Sequence, residues 1–395
     1  MKTLTELSGF FYFRTMNLTS KLPNVGTTIF TTMSNLARQH NALNLSQGFP
    51  NFDIDEKLAK LVKNAMNGAF NQYAPMLGAI QLRESIVNKI AHLYNTEYDV
   101  DGEVVITSGA TQALFSAISA FVQKDDEVIL FKPAYDAYEP TVELQGGKVV
   151  PIQLQHPHYK VDWKEVAQKI NAKTKMIVVN TPQNPCGTTF SKEDMLELQR
   201  LTMNTNIIVL SDEVYEHMVF DGEEHQSVCR FPELKKRSLI TASFGKTFHA
   251  TGWKMGYCLG PRDLMKEFIK VHQFTIYCVN HPVQIGLAEY MKNEEHYMHL
   301  SEFYQEKRDF FLSAIEGSRF SFVPSQATYF QLLDYSAISD EGDVDFARRL
   351  TEEFKIASIP LSVFNENQVD FKALRFCFAK TEDTLSKAAD ILNKI

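Results

Sequence analysis

The chain has 395 residues, 44% hydrophobic and 22% charged, with a formal net charge of −8. That length exceeds one typical core, so two domains or one domain with an appendage is expected, and the acidic balance offers no basic patch for nucleic acid. Five scattered cysteines (Cys186, Cys229, Cys258, Cys278, Cys377) form no C-x-x-C pair, which argues against a zinc site or disulfide framework and for a reducing, cytoplasmic setting.

In chain order, residues 1–16 (MKTLTELSGFFYFRTM) hold a short apolar run and no small-residue cleavage site. They read as a disordered extension, with Met16 a candidate start. Residues 17–59 are too few for a separate core and are expected to pack on a smaller domain. Between 60 and 300, apolar β-branched runs alternate with helical patterns. The strands are read at 103–107 (EVVIT), 127–133, 147–154, 175–182, 206–215 and 238–244, with helices at 110–123 and 191–204 among them. Such alternation indicates an α/β domain with a mostly parallel sheet covered on both faces. From 301 to 395 the texture changes to a smaller α+β unit, with helices at 301–317, 344–354 and 382–395 and strands within FSFVPSQATYFQLLDY and ALRFCFAK. No run of about 18 apolar residues occurs, so no membrane span is expected.

In sheets of this kind ligands bind beyond the carboxyl ends of the strands, and the unusual residues gather there. The turn S-G-A-T-Q (108–112) leaves small residues between strand and helix, which suits an anion on exposed N–H groups; capping by Ser108 or Thr111 is the plain alternative. Asp212 ends the run IIVL, where an acid is costly to bury without a cation, unless it only caps a following helix. Tyr215 follows three residues later. In NTPQNPCG (180–187) two prolines stiffen the backbone that carries Asn184. In SFGKTFHATGWKMGY (243–257) Ser243 precedes Lys246 by three residues and Lys254 follows it by eight. A lysine desolvated near another cation becomes nucleophilic, whereas two solvated lysines are the bland reading. No G-x-G-x-x-G or G-x-x-x-x-G-K-[ST] occurs.

Taken together these motifs resemble the pyridoxal-phosphate-dependent class I aminotransferases of fold type I. The SFGKTFHATGWKMGY segment, the spacing of 28 from Asn184 to Asp212, and Tyr215 three further on carry the likeness, which runs from about SKLPNVGTTIF (20–30) to the C-terminus. Within that family it is nearest the branch of methionine, kynurenine and glutamine transaminases, through LNLSQGFPNFD, NQYAPMLGAIQLRESI, SDEVYEH and IPLSVF. The resemblance implies a large domain with a seven-stranded, mostly parallel sheet, a smaller α+β domain, and a homodimer with shared sites. It implies pyridoxal 5'-phosphate condensed with Lys246, its ring nitrogen paired with Asp212, and its phenolic oxygen bonded by Tyr215 and Asn184. Tyr135 would stack on the ring, and Gly109, Ala110, Thr111, Ser243 and Lys254 would hold the phosphate with Tyr73 from the partner. Gly48, Asn184 and Arg375 would bind the substrate, Arg375 gripping the α-carboxylate through two parallel bonds. Read without the family, an arginine in the alternating strand ALRFCFA is an edge charge reaching water.

The stretch HQFTIYCVNHPVQ (272–284) has no arginine, where dicarboxylate-specific relatives place one, so donors with neutral side chains such as methionine are favoured. Kynurenine or glutamine transamination with β-elimination from cysteine conjugates is the alternative activity. S-x-x-K also occurs in penicillin-binding enzymes, but the K-T-G that should accompany it is missing.

Overall fold

A computed structural model describes residues 18–395; the extension expected over residues 1–16 lies outside the described residues. Twelve strands are described: β1 (Leu43–Asn44), β2 (Val104–Thr107), β3 (Glu127–Lys132), β4 (Lys148–Gln153), β5 (Thr174–Asn180), β6 (Ile208–Asp212), β7 (Ser238–Ser243), β8 (Gly256–Leu259), β9 (Phe330–Asp334), β10 (Ile356–Ala357), β11 (Ile359–Pro360) and β12 (Ala373–Cys377). Seven form the main sheet in the order β2-β8-β7-β6-β5-β3-β4. Strands β3 to β7 run parallel, and β8 is antiparallel to both its neighbours, β2 and β7.

The continuous apolar runs have a simple cause. Successive side chains point to opposite faces, and both faces are covered. Val104 and Ile106, Ile129 and Phe131, and Ile177 and Val179 enter the core on one face. Val105, Val128 and Leu130, and Met176 and Val178 enter a second core on the other, packed against Ala113, Leu114, Ala117 and Ile118 of the helix Gly109–Phe121. All six expected strands form. The seventh, GYCL of β8, falls in none of them: four residues opening on a glycine give too short a pattern to read.

In the C-terminal part, β12 lies between β11 and β9 in an antiparallel sheet of three. Of FSFVPSQATYFQLLDY only Phe330–Asp334 is a strand. Pro324 lacks an N–H for a ladder, and Thr328 has φ +69°, which breaks the extended run. Strand β1 pairs in parallel with β10, Leu43 opposite Ile356, so the N-terminal segment is hydrogen-bonded to the C-terminal part. The helices Leu300–Ala314, Asp343–Glu352 and Glu382–Leu392 form where they were read, with ends shifted by a few residues.

Candidate active site

Four strands end at one cavity of about 150 Å³. Strand β2 delivers Gly109, Ala110 and Thr111, β5 delivers Asn180 and Asn184, β6 delivers Asp212 and Tyr215, and β7 delivers Ser243 and Lys246. Strand register does the gathering: Asn180 of β5 lies opposite Asp212, and Asp212 opposite Thr241. Residues up to 145 positions apart in sequence, from Gly109 to Lys254, thus line one cavity.

At one end the chain builds an anion cradle. Gly109 has φ +71°, a conformation that favours glycine, and a β-carbon there would sit 3.4 Å from the Lys254 ammonium. Ser108 makes no side-chain cap, so it leaves the first N–H groups of the helix Gly109–Phe121 free for a ligand. Gly256 lets β8 pass beneath this turn; a β-carbon there would meet the Gly109 carbonyl carbon at 2.9 Å and the Ala110 nitrogen at 3.0 Å. Ser243 and Thr251 complete the lining.

At the other end is an acid. Asp212 is buried; its Oδ2 accepts a hydrogen bond from the Tyr138 hydroxyl at 2.6 Å, and its Oδ1 has no partner. Burial raises its pKa to about 6, against the opposing Tyr138 bond. Asp212 caps no helix. The Asn180 side chain donates to the Asp212 carbonyl (2.9 Å) and accepts from the Asn184 N–H (2.8 Å), tying both segments together. Behind them, the Lys89 ammonium donates to Glu216 (2.5 Å) and Tyr257 (2.8 Å) in a buried ion pair that anchors the turn after Asp212.

Between cradle and acid lies Lys246. Its Nζ donates to the Gly48 carbonyl (3.1 Å) and the Tyr329 hydroxyl (2.9 Å). Burial above all lowers its pKa to about 8, and the Arg375 and Lys254 charges push the same way. Arg375 is no edge charge. It sits in the middle strand of its sheet at 1% exposure, donating to Asn184 Oδ1 (2.7 Å) and the Ser46 carbonyl (2.9 Å). The Phe330 ring lies 4.0 Å from the guanidinium. No carboxylate among the described residues pairs with Arg375, and its Nε has no partner. A buried, unpaired guanidinium fits an anionic ligand.

The cavity thus brings together Gly109, Ala110, Thr111, Tyr135, Asn184, Asp212, Tyr215, Ser243, Lys246 and Lys254, with Gly48 and Arg375 bonded to its walls. Tyr73 is not among them: it is 83% exposed, edge-on to Tyr277 at 5.8 Å. Sequence reasoning missed the contacts of Tyr138, Asn180, Thr251, Gly256 and Tyr329. For Tyr138 one signal was present, its place three residues after Tyr135 in KPAYDAY.

These residues fit pyridoxal phosphate. The orphaned Asp212 Oδ1 suits a cationic ring nitrogen, the Gly109 turn with Lys254 suits a phosphate, and a desolvated amine lies between. Residues 40–392 match the family model of class I and II aminotransferases. The chain is 46% identical to the methionine aminotransferase of Escherichia coli, covering 95% of this chain and 98% of that one. It is 34% identical to a kynurenine–oxoglutarate transaminase of Dictyostelium discoideum, covering 94% of each. The crystal structure of YbdL from Escherichia coli, identified as having a methionine aminotransferase function, superposes with a TM-score of 0.94 at 46% identity, covering 96% of this chain and 100% of that one. N-succinyldiaminopimelate aminotransferase from Mycobacterium tuberculosis does so with 0.92 at 30% identity, covering 96% and 100%. The chain belongs to the class I and II aminotransferases, and is a transaminase whose cofactor is pyridoxal phosphate.

Proposed function

We propose that this aminotransferase moves the amino group of methionine, or of other neutral and aromatic amino acids, to a 2-oxo acid. The observation that carries the reading is Arg375, buried without a carboxylate partner and bonded to Asn184 at the cavity that holds Lys246. The identity of 46% to the Escherichia coli methionine aminotransferase supports the donor, as does the lack of arginine in residues 272–284. The kynurenine alternative is not favoured, its relative standing at 34%.

When bound, pyridoxal phosphate supplies an aldehyde that condenses with amines and a cationic ring that takes up electrons from the α-carbon. On this reading Lys254, Ser243, Thr111 and the N–H groups of Gly109 and Ala110 hold the phosphate. Tyr135 covers the ring, and Asp212 keeps its nitrogen protonated. Asn184 spends its oxygen on Arg375 and so turns its amide N–H groups to the phenolic oxygen, beside Tyr215. Arg375 and Gly48 fix the substrate carboxylate, which sets the α-C–H bond for removal. Lys246, with a pKa near the working pH, takes that proton as base and returns it as acid.

The reading also takes residues 60–300 as the cofactor domain and 17–59 with 301–395 as the smaller one. It takes the active form as a cytoplasmic homodimer, Tyr73 reaching the partner's site. The exposed aromatic patch of Tyr73, Phe274 (86% exposed) and Tyr277 (48%) supports an interface there. The test is to titrate holoenzyme with methionine, phenylalanine and aspartate while following the visible absorbance of the cofactor. Methionine should discharge the band and aspartate should not, and Lys246→Ala should show neither band nor turnover. Stronger discharge by aspartate, or a fully active Lys246→Ala, overturns the reading.

A further inference from the structure

The two acceptors that hold Lys246 are themselves joined. The Tyr329 hydroxyl has a single proton, and it donates that proton to the Gly48 carbonyl at 2.6 Å. Tyr329 therefore offers Lys246 a lone pair. The hydroxyl oxygen is held in place, because the Tyr329 ring is 0% exposed and lies edge-on to Tyr215 (5.2 Å) and Phe330 (4.9 Å) and tilted against Tyr304 (5.5 Å).

A neutral lysine amine has two N–H bonds and one lone pair, arranged tetrahedrally. With one N–H on Gly48 and the other on Tyr329, the lone pair has one direction left. Lys246 lines the cavity and neither Gly48 nor Tyr329 does, so both acceptors draw the N–H groups toward the wall and leave the lone pair for the cavity side. We propose that Tyr329 is a positioning residue which, with the Gly48 carbonyl, holds the detached Lys246 amine so that its lone pair faces the substrate α-carbon. The inference rests on Lys246 being the proton carrier. It gives a role to the tyrosine of ATYF (327–330), a stretch that as sequence reads only as core or pocket lining. It also makes the N-terminal segment part of the proton-transfer machinery, since Gly48 is an acceptor for both partners.

The test is Tyr329→Phe, which keeps the ring and removes the oxygen. Its melting temperature should fall by only about 2–3 °C, as two lost hydrogen bonds of about 1 kcal/mol each, to Gly48 and from Lys246, imply for a chain this long. With methionine as donor, kcat should fall about ten- to a hundredfold, with KM within about twofold, as misplacement of a reacting group predicts. A second readout needs no turnover. In the cofactor-stripped full chain, the pH dependence of reductive methylation at Lys246, read by peptide mass mapping, should shift down by about half a unit or more. The lost acceptor stabilises the ammonium more than the amine. Unchanged kcat with an unchanged Lys246 titration overturns the proposal and leaves Tyr329 a packing residue. Should the phenylalanine variant fold poorly, fluorotyrosine at position 329 keeps the shape and weakens the oxygen as an acceptor. It must move the same titration in the same direction, and no movement overturns the proposal. Lys246→Ala separates the two claims: retained turnover there removes the role of Lys246, whereas an inactive Lys246→Ala beside an unaltered Tyr329→Phe removes only that of Tyr329.

Discussion

Asp212→Asn should make the cofactor-stripped protein more stable while it weakens the enzyme. The side chain is 4% exposed, has one hydrogen-bonded oxygen and one orphaned, and burial raises its pKa to about 6. An unfolded aspartate titrates near 3.9. A folded-state pKa above the unfolded one means that the folded chain binds the extra proton between about pH 4 and 6. The acid is therefore neutral at no penalty below that window, loses the folded state stability as pH rises through it, and carries the full penalty above pH 6. A shift of about two units corresponds to about 3 kcal/mol. Asparagine removes that penalty but puts an amide N–H where Oδ1 had no partner, which costs about 1 kcal/mol. The net gain at pH 7.5 is about 2 kcal/mol.

For a chain of this length, with an unfolding entropy of about 2.1 cal/mol/K per residue, that is a rise of roughly 2–3 °C in melting temperature. The assay is thermal and urea unfolding of cofactor-stripped parent and variant at pH 7.5 and pH 4.5. The gap should be present at the first pH and mostly gone at the second. With cofactor, kcat should fall by about a hundredfold or more, as it does when one preorganised electrostatic contact is lost. A variant no more stable than the parent at pH 7.5 refutes the reasoning about burial; near-parental turnover refutes the pairing with the ring nitrogen.

Two more predictions come from the walls of the site. In Gly48→Ala the new β-carbon would lie 2.8 Å from Phe330 Cζ, pushing the ring that packs on the Arg375 guanidinium. Overpacking of about 1–3 kcal/mol should raise KM for the amino acid about tenfold or more, and a steady-state KM within twofold of the parent would show that Phe330 does not position Arg375. Lys89→Met strands the Glu216 carboxylate, buried with only the Tyr94 and Tyr257 hydroxyls to donate to it. Loss of about 3–5 kcal/mol in urea unfolding is expected, with much of it recovered by adding Glu216→Gln; a loss under about 1 kcal/mol would mean the pair is not desolvated.

How much of this was legible depended on what sets each residue's place. Lys246, Asp212, Asn184 and Tyr215 sit at strand ends, so the punctuation that ends a strand marks them, and fixed spacings follow from strand and helix lengths. Arg375 was ambiguous because alternation along ALRFCFA does not say which strand is central; its burial follows from pairing with β9 on one side and β11 on the other. Tyr138 and Tyr329 were hidden among 15 tyrosines and 29 phenylalanines. Most aromatic rings fill core, and only a hydroxyl's partner separates the few that do more. Those partners, Asp212 and Gly48, are 74 and 281 residues away, a relation that no local pattern carries.

The electrostatics explain why the site has to be assembled this way. The chain carries −8 overall, yet Lys246, Lys254 and Arg375 converge on a cavity whose one lining acid, Asp212, is bonded to Tyr138. Lys380 adds a buried ammonium, bonded to the Phe49 carbonyl at 2.7 Å, beside the Gly48 turn. Bringing cations together out of water is unfavourable unless anions join them, and that strain is part of what lowers the Lys246 pKa to about 8. A phosphate at the Gly109 cradle and a carboxylate at Arg375 are the groups that relieve it. The same excess of positive charge therefore draws in both anionic ligands and, with burial, brings the lysine between them toward the pH range in which it can act as a base.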